Sequence, residues 1–96
     1  MTTLAELRKK RREIQRISAK HGIIRLRVFG SVARGEQNSQ SDLDLLVNMA
    51  PSRDLIDLIS FAQDMQTALQ AKVDVVSEDG LSSHLRDKIL AEACLI

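Results

Sequence analysis

Tryptophan and tyrosine are absent from this 96-residue sequence, and Phe29 and Phe61 are its only aromatics. So sparse a set argues against a nucleic-acid surface built from bases stacked on exposed rings, and direct nucleic-acid binding is not expected. A single cysteine, Cys94, excludes an internal disulfide and any multi-cysteine zinc site. No apolar run approaches the roughly 18 residues that a membrane span requires. The N-terminal MTTLAELRKKRREI also lacks the apolar core of a secretory signal. A cytoplasmic location without a membrane partner is the expectation.

What is present fits one small domain, residues 1–96, with a thin core. Apolar content is an ordinary 44%, and the net charge is +1. That small net charge hides a split. Residues 1–34 carry ten Lys/Arg and two acids, whereas residues 35–96 carry four Lys/Arg and eleven acids. Such asymmetry can steer a charged partner, though it does not set a fold.

Thr3 and Glu6 fit a capping box, and from there a helix is predicted to about His21, with Gly22 as its C-cap. Leu4, Leu7, Ile14 and Ile17 form its apolar stripe, which Arg11 interrupts by laying its long stem along it. IIRLRVF (23–29) reads as a strand, SVARGE as one or two helical turns, and QNSQS as a polar loop. DLDLLV (42–47) reads as a second strand ended by a turn around Pro51. A helix over 54–70, a third strand KVDVV (72–76), a turn SEDG and a closing helix over 81–96 complete the order. The class is α/β or α+β: a small mixed sheet with helices on one face.

Alternation assigns the strand faces. Ile24, Leu26 and Val28 share a face opposite Arg25, Arg27 and Phe29. Leu43, Leu45 and Val47 lie opposite Asp42, Asp44 and Leu46, and Val73 and Val75 lie opposite Lys72, Asp74 and Val76. Each strand has one aliphatic face and one carrying charge. With helices over the aliphatic side, the other becomes an open face holding three aspartates.

An ionised carboxylate on an apolar strand costs several kcal/mol unless something positive offsets it. Asp42 and Asp44, at i and i+2, project to one side and can share one or two Mg²⁺ ions, with Asp74 as the third carboxylate. Gly30–Ser31, between a strand and a short helix, offers backbone N–H groups and a hydroxyl to a phosphate. Each feature alone has a plainer reading. Gly-Ser makes tight turns, Asp-x-Asp caps strands, and Asp74 can pair with Lys72 or Arg27.

Taken together, Gly-Ser, ten residues, Asp-x-Asp and a later strand aspartate resemble the signature of DNA polymerase beta-like nucleotidyltransferases. More closely, RLRVFGSVARGEQNSQSDLDLLV, KVDVVSEDGL and LRDKILAEACLI resemble the minimal nucleotidyltransferase (MNT) antitoxins of HEPN–MNT toxin–antitoxin pairs. The resemblance implies a bare catalytic core of the minimal nucleotidyltransferase fold. It implies triphosphate binding by Gly30 and Ser31, Mg²⁺, two ions by expectation, on Asp42 and Asp44, and Asp74 completing the metal site and acting on the acceptor. Arg34 would contact the nucleotide or merely close its turn, the turn being preferred. The implied reaction moves AMP from ATP to a tyrosine of a HEPN ribonuclease toxin, the expected partner in a hetero-oligomer, and silences it. With no aromatic to stack on the base, selection of adenine would fall to aliphatic or backbone contacts.

Two other functions fit the same residues. One is an antitoxin that neutralises its toxin by binding alone; the other is a nucleotidyltransferase with a small-molecule acceptor. Elsewhere, Arg8–Arg12 reads as a solvated helix face, His21 as a helix-end residue facing the dipole, and His84 as exposed. Cys94 and Met65 read as core residues.

Overall fold

The computed structural model describes residues 2–38 and 42–96. Of the expected polar loop, residues 39–41 lie outside the described residues. Helix α1 (Leu4–Lys9) starts where the Thr3 hydroxyl accepts the Glu6 N–H at 3.1 Å. Lys10 then kinks the chain, and helix α2 (Arg11–Lys20) continues it. The single helix expected here is therefore two. Five consecutive cations, Arg8 to Arg12, repel one another at i, i+3 and i+4 spacing on a straight helix, and the kinked Lys10 reaches across to the Ala68 carbonyl of a later helix. Leu7, Ile14 and Ile17 are buried, as their spacing predicts.

Gly22, at φ +74°, turns the chain into β1 (Ile23–Phe29), followed by α3 (Gly30–Arg34), β2 (Leu43–Met49), α4 (Leu55–Leu69) and β3 (Val73–Ser77). Asp54 caps α4 reciprocally with Asp57. A 3-10 turn (Glu78–Gly80), α5 (Ser83–Glu92) and β4 (Cys94–Leu95) complete the chain. Beyond Glu92 the sequence reading expected more helix. Instead Ala93 is extended and Cys94–Leu95 add an antiparallel edge to β1. The sheet is mixed, ordered β3-β2-β1-β4, with β1–β2 antiparallel and β2–β3 parallel.

The main core lies between the sheet and α1, α2 and α4. Phe61 and Met65 of α4 pack with Val28, Leu43, Leu45, Val47 and the buried residues of α1 and α2. Cys94 is half-buried against this cluster. His21 does more than face a dipole. It is buried, its Nε2 lies 2.6 Å from Asp64 of α4, and its ring meets the Phe61 edge-on at 6.3 Å.

Two strand-face expectations change. Between Ile23 and Arg25 the register against β2 shifts by one residue, so Ile24 is the extra residue of a β-bulge. Ile23 is buried in its stead, and Ile24 is 69% exposed. On the opposite face Leu46 is fully buried, although it is not part of the main cluster. On that face Asp74 is exposed and Asp42 and Asp44 are half-buried, and the part below them is covered. The 3-10 turn lies on β2 and α5 packs on β1 and α3. Arg27, opposite Leu46, pairs with Glu78 of the 3-10 turn at 2.5 Å. No helix among the described residues is long and apolar enough to cross a membrane.

Candidate active site

Residues directly opposite in neighbouring strands point to the same side of a sheet. The register pairs Phe29 with Asp44, and Asp44 with Asp74. Three strands therefore place Phe29, Asp44 and Asp74 in one row, at the end where β1 runs into α3. Asp42 lies one residue before β2, on the same side as Asp44 by alternation. The plainer reading of Asp74 as a partner of Lys72 or Arg27 does not hold. Arg27 is taken by Glu78, and Asp74 enters no ion pair among the described residues.

The electrostatics of this row are uncompensated. Burial pushes the Asp44 carboxyl above the usual carboxylate range, and the nearby charges of Asp74 and then Asp42 push it further; only Arg34 acts in the other direction within this neighbourhood. A buried carboxylate among like charges resists ionisation when no cation offsets it. This is the donor chemistry of a hard divalent cation such as Mg²⁺, which takes oxygen ligands and keeps room for phosphate oxygens and water. Among the described residues no group of three or more His, Cys, Asp or Glu side chains is placed so that it could hold a metal ion as it stands.

Gly30 sits directly over Asp44. Its φ of +75° is a left-handed value that suits glycine, and a Cβ at this position would run into the Asp44 carboxylate. The sequence therefore places here the residue that lets backbone approach carboxylate. Gly30 begins α3, a five-residue helix whose Val32 is buried and whose end is turned by Gly35 (φ +73°), with the Glu36 N–H returning to the Ser31 carbonyl at 2.9 Å. Ser31 follows Gly30 on the first turn and is half-buried.

Arg34, at the last position of α3, donates from Nε to Glu36 at 3.0 Å and from Nη1 to Glu92 at 2.9 Å. The second oxygen of Glu92 accepts the Gly30 N–H at 3.0 Å. Burial works against an ionised Glu92, yet the hydrogen bonds from Arg34 and Gly30 outweigh it and hold its carboxyl below the usual range. Sequence reasoning missed Glu92. It lies 62 residues from Gly30 on a helix whose pattern carries no sign of it.

Clefts of 510, 460 and 390 Å³ open along α1, α2, α4 and the β1–β4 edge, and Asp42, Asp44 and Asp74 line none of these three.

Comparison with known proteins bears on the fold and the family. A solved structure described as a minimal nucleotidyltransferase superposes with a TM-score of 0.88 at 43% identity, covering 99% of this chain and 97% of its own. A crystal structure of a toxin–antitoxin with AMP-PNP superposes with a TM-score of 0.74 at 26% identity, over 86% of this chain and 68% of that one. In sequence, MJ0435 of Methanocaldococcus jannaschii, assigned as a protein adenylyltransferase, is 39% identical over 83 residues, 86% of this chain and 89% of its own length. The nucleotidyltransferase domain family matches residues 6–96. With nearly its whole length inside that match, and with Gly-Ser and the aspartates gathered at one end of the sheet, the chain belongs to the nucleotidyltransferase domain family.

Proposed function

We propose that this chain is an antitoxin enzyme that transfers AMP from ATP to a tyrosine hydroxyl of a cognate HEPN ribonuclease toxin, and thereby silences it. The observation that carries the reading is the pairing of Asp44 with Asp74 across β2–β3, beneath a glycine whose missing side chain leaves room for the Asp44 carboxylate. Two likenesses support the acceptor class: MJ0435 is assigned as a protein adenylyltransferase, and the AMP-PNP structure is of a toxin–antitoxin.

Each residue has a role in this reading. Asp42, Asp44 and Asp74 would hold Mg²⁺. Gly30 and Ser31 would receive the β- and γ-phosphates, with Arg34 at the edge of the same loop. Bound Mg²⁺ would supply charge neutralisation on the α-phosphate and on the departing pyrophosphate. Asp74, the exposed member of the set, accepts the acceptor's proton as the tyrosine oxygen bonds to the α-phosphorus. The bond from that phosphorus to the β-phosphate bridging oxygen breaks, and pyrophosphate leaves with the electron pair.

The test follows label from α-³²P-ATP with Mg²⁺ onto a protein that co-purifies from the native host. A γ-labelled control and a D42N/D44N variant run alongside. Label on one partner, from the α-position only and lost in the variant, is the expected result. A bound and silenced partner that takes no label would replace this reading with neutralisation by binding alone. Label on an aminoglycoside and none on protein would replace it with a small-molecule transferase.

A further inference from the structure

We propose that Glu92 is a positioning residue of the nucleotide loop: from α5 it takes the Gly30 N–H on one carboxylate oxygen and an Arg34 N–H on the other, and by holding both ends of α3 it sets Ser31 and the remaining guanidinium N–H groups toward the β- and γ-phosphates. The inference rests on the reading of Gly30, Ser31 and Arg34 as the triphosphate site.

Three observations carry it. Helix α3 has five residues, too few to be stable by its own hydrogen bonds, so its orientation must come from outside. Val32 anchors its buried face. Glu92 grips its first residue and its last, at 3.0 and 2.9 Å, each through a different oxygen. Glu92 is the final residue of α5, where a carboxylate opposes the helix dipole and where no basic residue lies in the last turn. Within α5 only Lys88, one turn back, offsets its charge, and it does so less than Arg34 and the Gly30 N–H of the loop. Charge-assisted bonds of this kind are directional as well as strong, so they fix the two ends of α3 and with them where Ser31 and the rest of the guanidinium point.

The test measures calorimetric binding of MgATP, of Mg-tripolyphosphate and of AMP to the wild-type chain, E92A and E92Q, alongside label transfer. E92A is expected to weaken MgATP and tripolyphosphate about tenfold, while AMP, which lacks the β- and γ-phosphates, binds as in the wild type. E92Q keeps one carbonyl oxygen as an acceptor and is expected to recover part of the loss. Unchanged tripolyphosphate affinity in E92A overturns the inference. So does a gain in affinity, which would make the carboxylate a competitor of phosphate, or an equal loss for AMP, which would signal general loosening. Should E92A not fold, the ratio of tripolyphosphate to AMP losses in E92Q decides. A wild-type chain that binds tripolyphosphate yet transfers no label defeats the proposed reaction, and the E92A comparison still judges Glu92. A wild-type chain that binds no tripolyphosphate defeats both.

Discussion

A methyl group on Gly30 would occupy the space held by the Asp44 carboxylate. Backbone and acid are fitted to each other, and the left-handed φ of Gly30 makes the fit dependent on glycine. The variant G30A should lose about 1–3 kcal/mol of stability from backbone conformation alone. Asp44 should also be pushed aside. Chemical denaturation gives the first quantity, and label transfer should fall further than the stability loss explains.

Asp44 sits among like charges, and its carboxyl is raised by burial, then by Asp74 and Asp42. For a raised acid the sign is fixed. Stability is fullest below the ordinary carboxylate value and declines as pH climbs through the raised native value. D44N should therefore melt higher than wild type at pH 7 in EDTA, while its transfer activity drops about 100-fold or more. Adding Mg²⁺ should raise the wild-type melting temperature and leave D44N unmoved. A D44N protein less stable than wild type without metal would contradict this account of the site.

Asp64 behaves in the opposite way. The hydrogen bond with His21 lowers its carboxyl, against some desolvation, and Lys20 at 3.5 Å helps. Its stabilising contribution is present above the ordinary carboxylate value and disappears as pH falls through the lowered native one. D64N should flatten the acid limb of a stability–pH profile and lower the melting temperature at neutral pH, where the buried His21 keeps an amide acceptor but loses the charged one. An acid limb identical to wild type would refute this.

Leu46 and Ile24 are both aliphatic strand residues, and their fates are opposite. L46A should cost about 2–5 kcal/mol, in the range for a buried leucine. I24A should stay within about 0.5 kcal/mol, as an exposed side chain. Alternation read from the sequence alone would assign those costs the other way round. Equilibrium unfolding of the pair decides.

Those two residues also show where sequence legibility stops. Asp42, Asp44, Asp74 and Gly30 could be placed because strand alternation and a strand-to-helix turn are local rules acting over a few residues. The bulge at Ile24 breaks the period with no glycine to announce it. Leu46 is buried on the face where the 3-10 turn, from a distant part of the chain, packs on β2. The strand Cys94–Leu95 was hidden because ACLI continues an apolar helical pattern with no Gly or Pro to stop it. The kink at Lys10 answers to charge crowding and to the Ala68 carbonyl, the second of which only the tertiary fold supplies. Glu92 was invisible for the same reason: its partners are set by how α5 docks, and spacing along the chain contains no trace of that.

The 62-residue separation of Gly30 from Glu92 has a consequence in time. Translation is vectorial, at about 5–20 residues per second, so roughly 3 to 12 seconds pass between synthesis of the glycine and synthesis of the glutamate that anchors it. During that interval the ribosome has already made Gly30, Ser31, Asp42 and Asp44, while the Gly30 amide still lacks its Glu92 anchor. A nascent chain halted before Glu92 carries Gly30, Ser31, Asp42 and Asp44 without the two Glu92 hydrogen bonds that hold the ends of α3; on the proposed role of Glu92, such a chain would bind nucleotide less well than the full one.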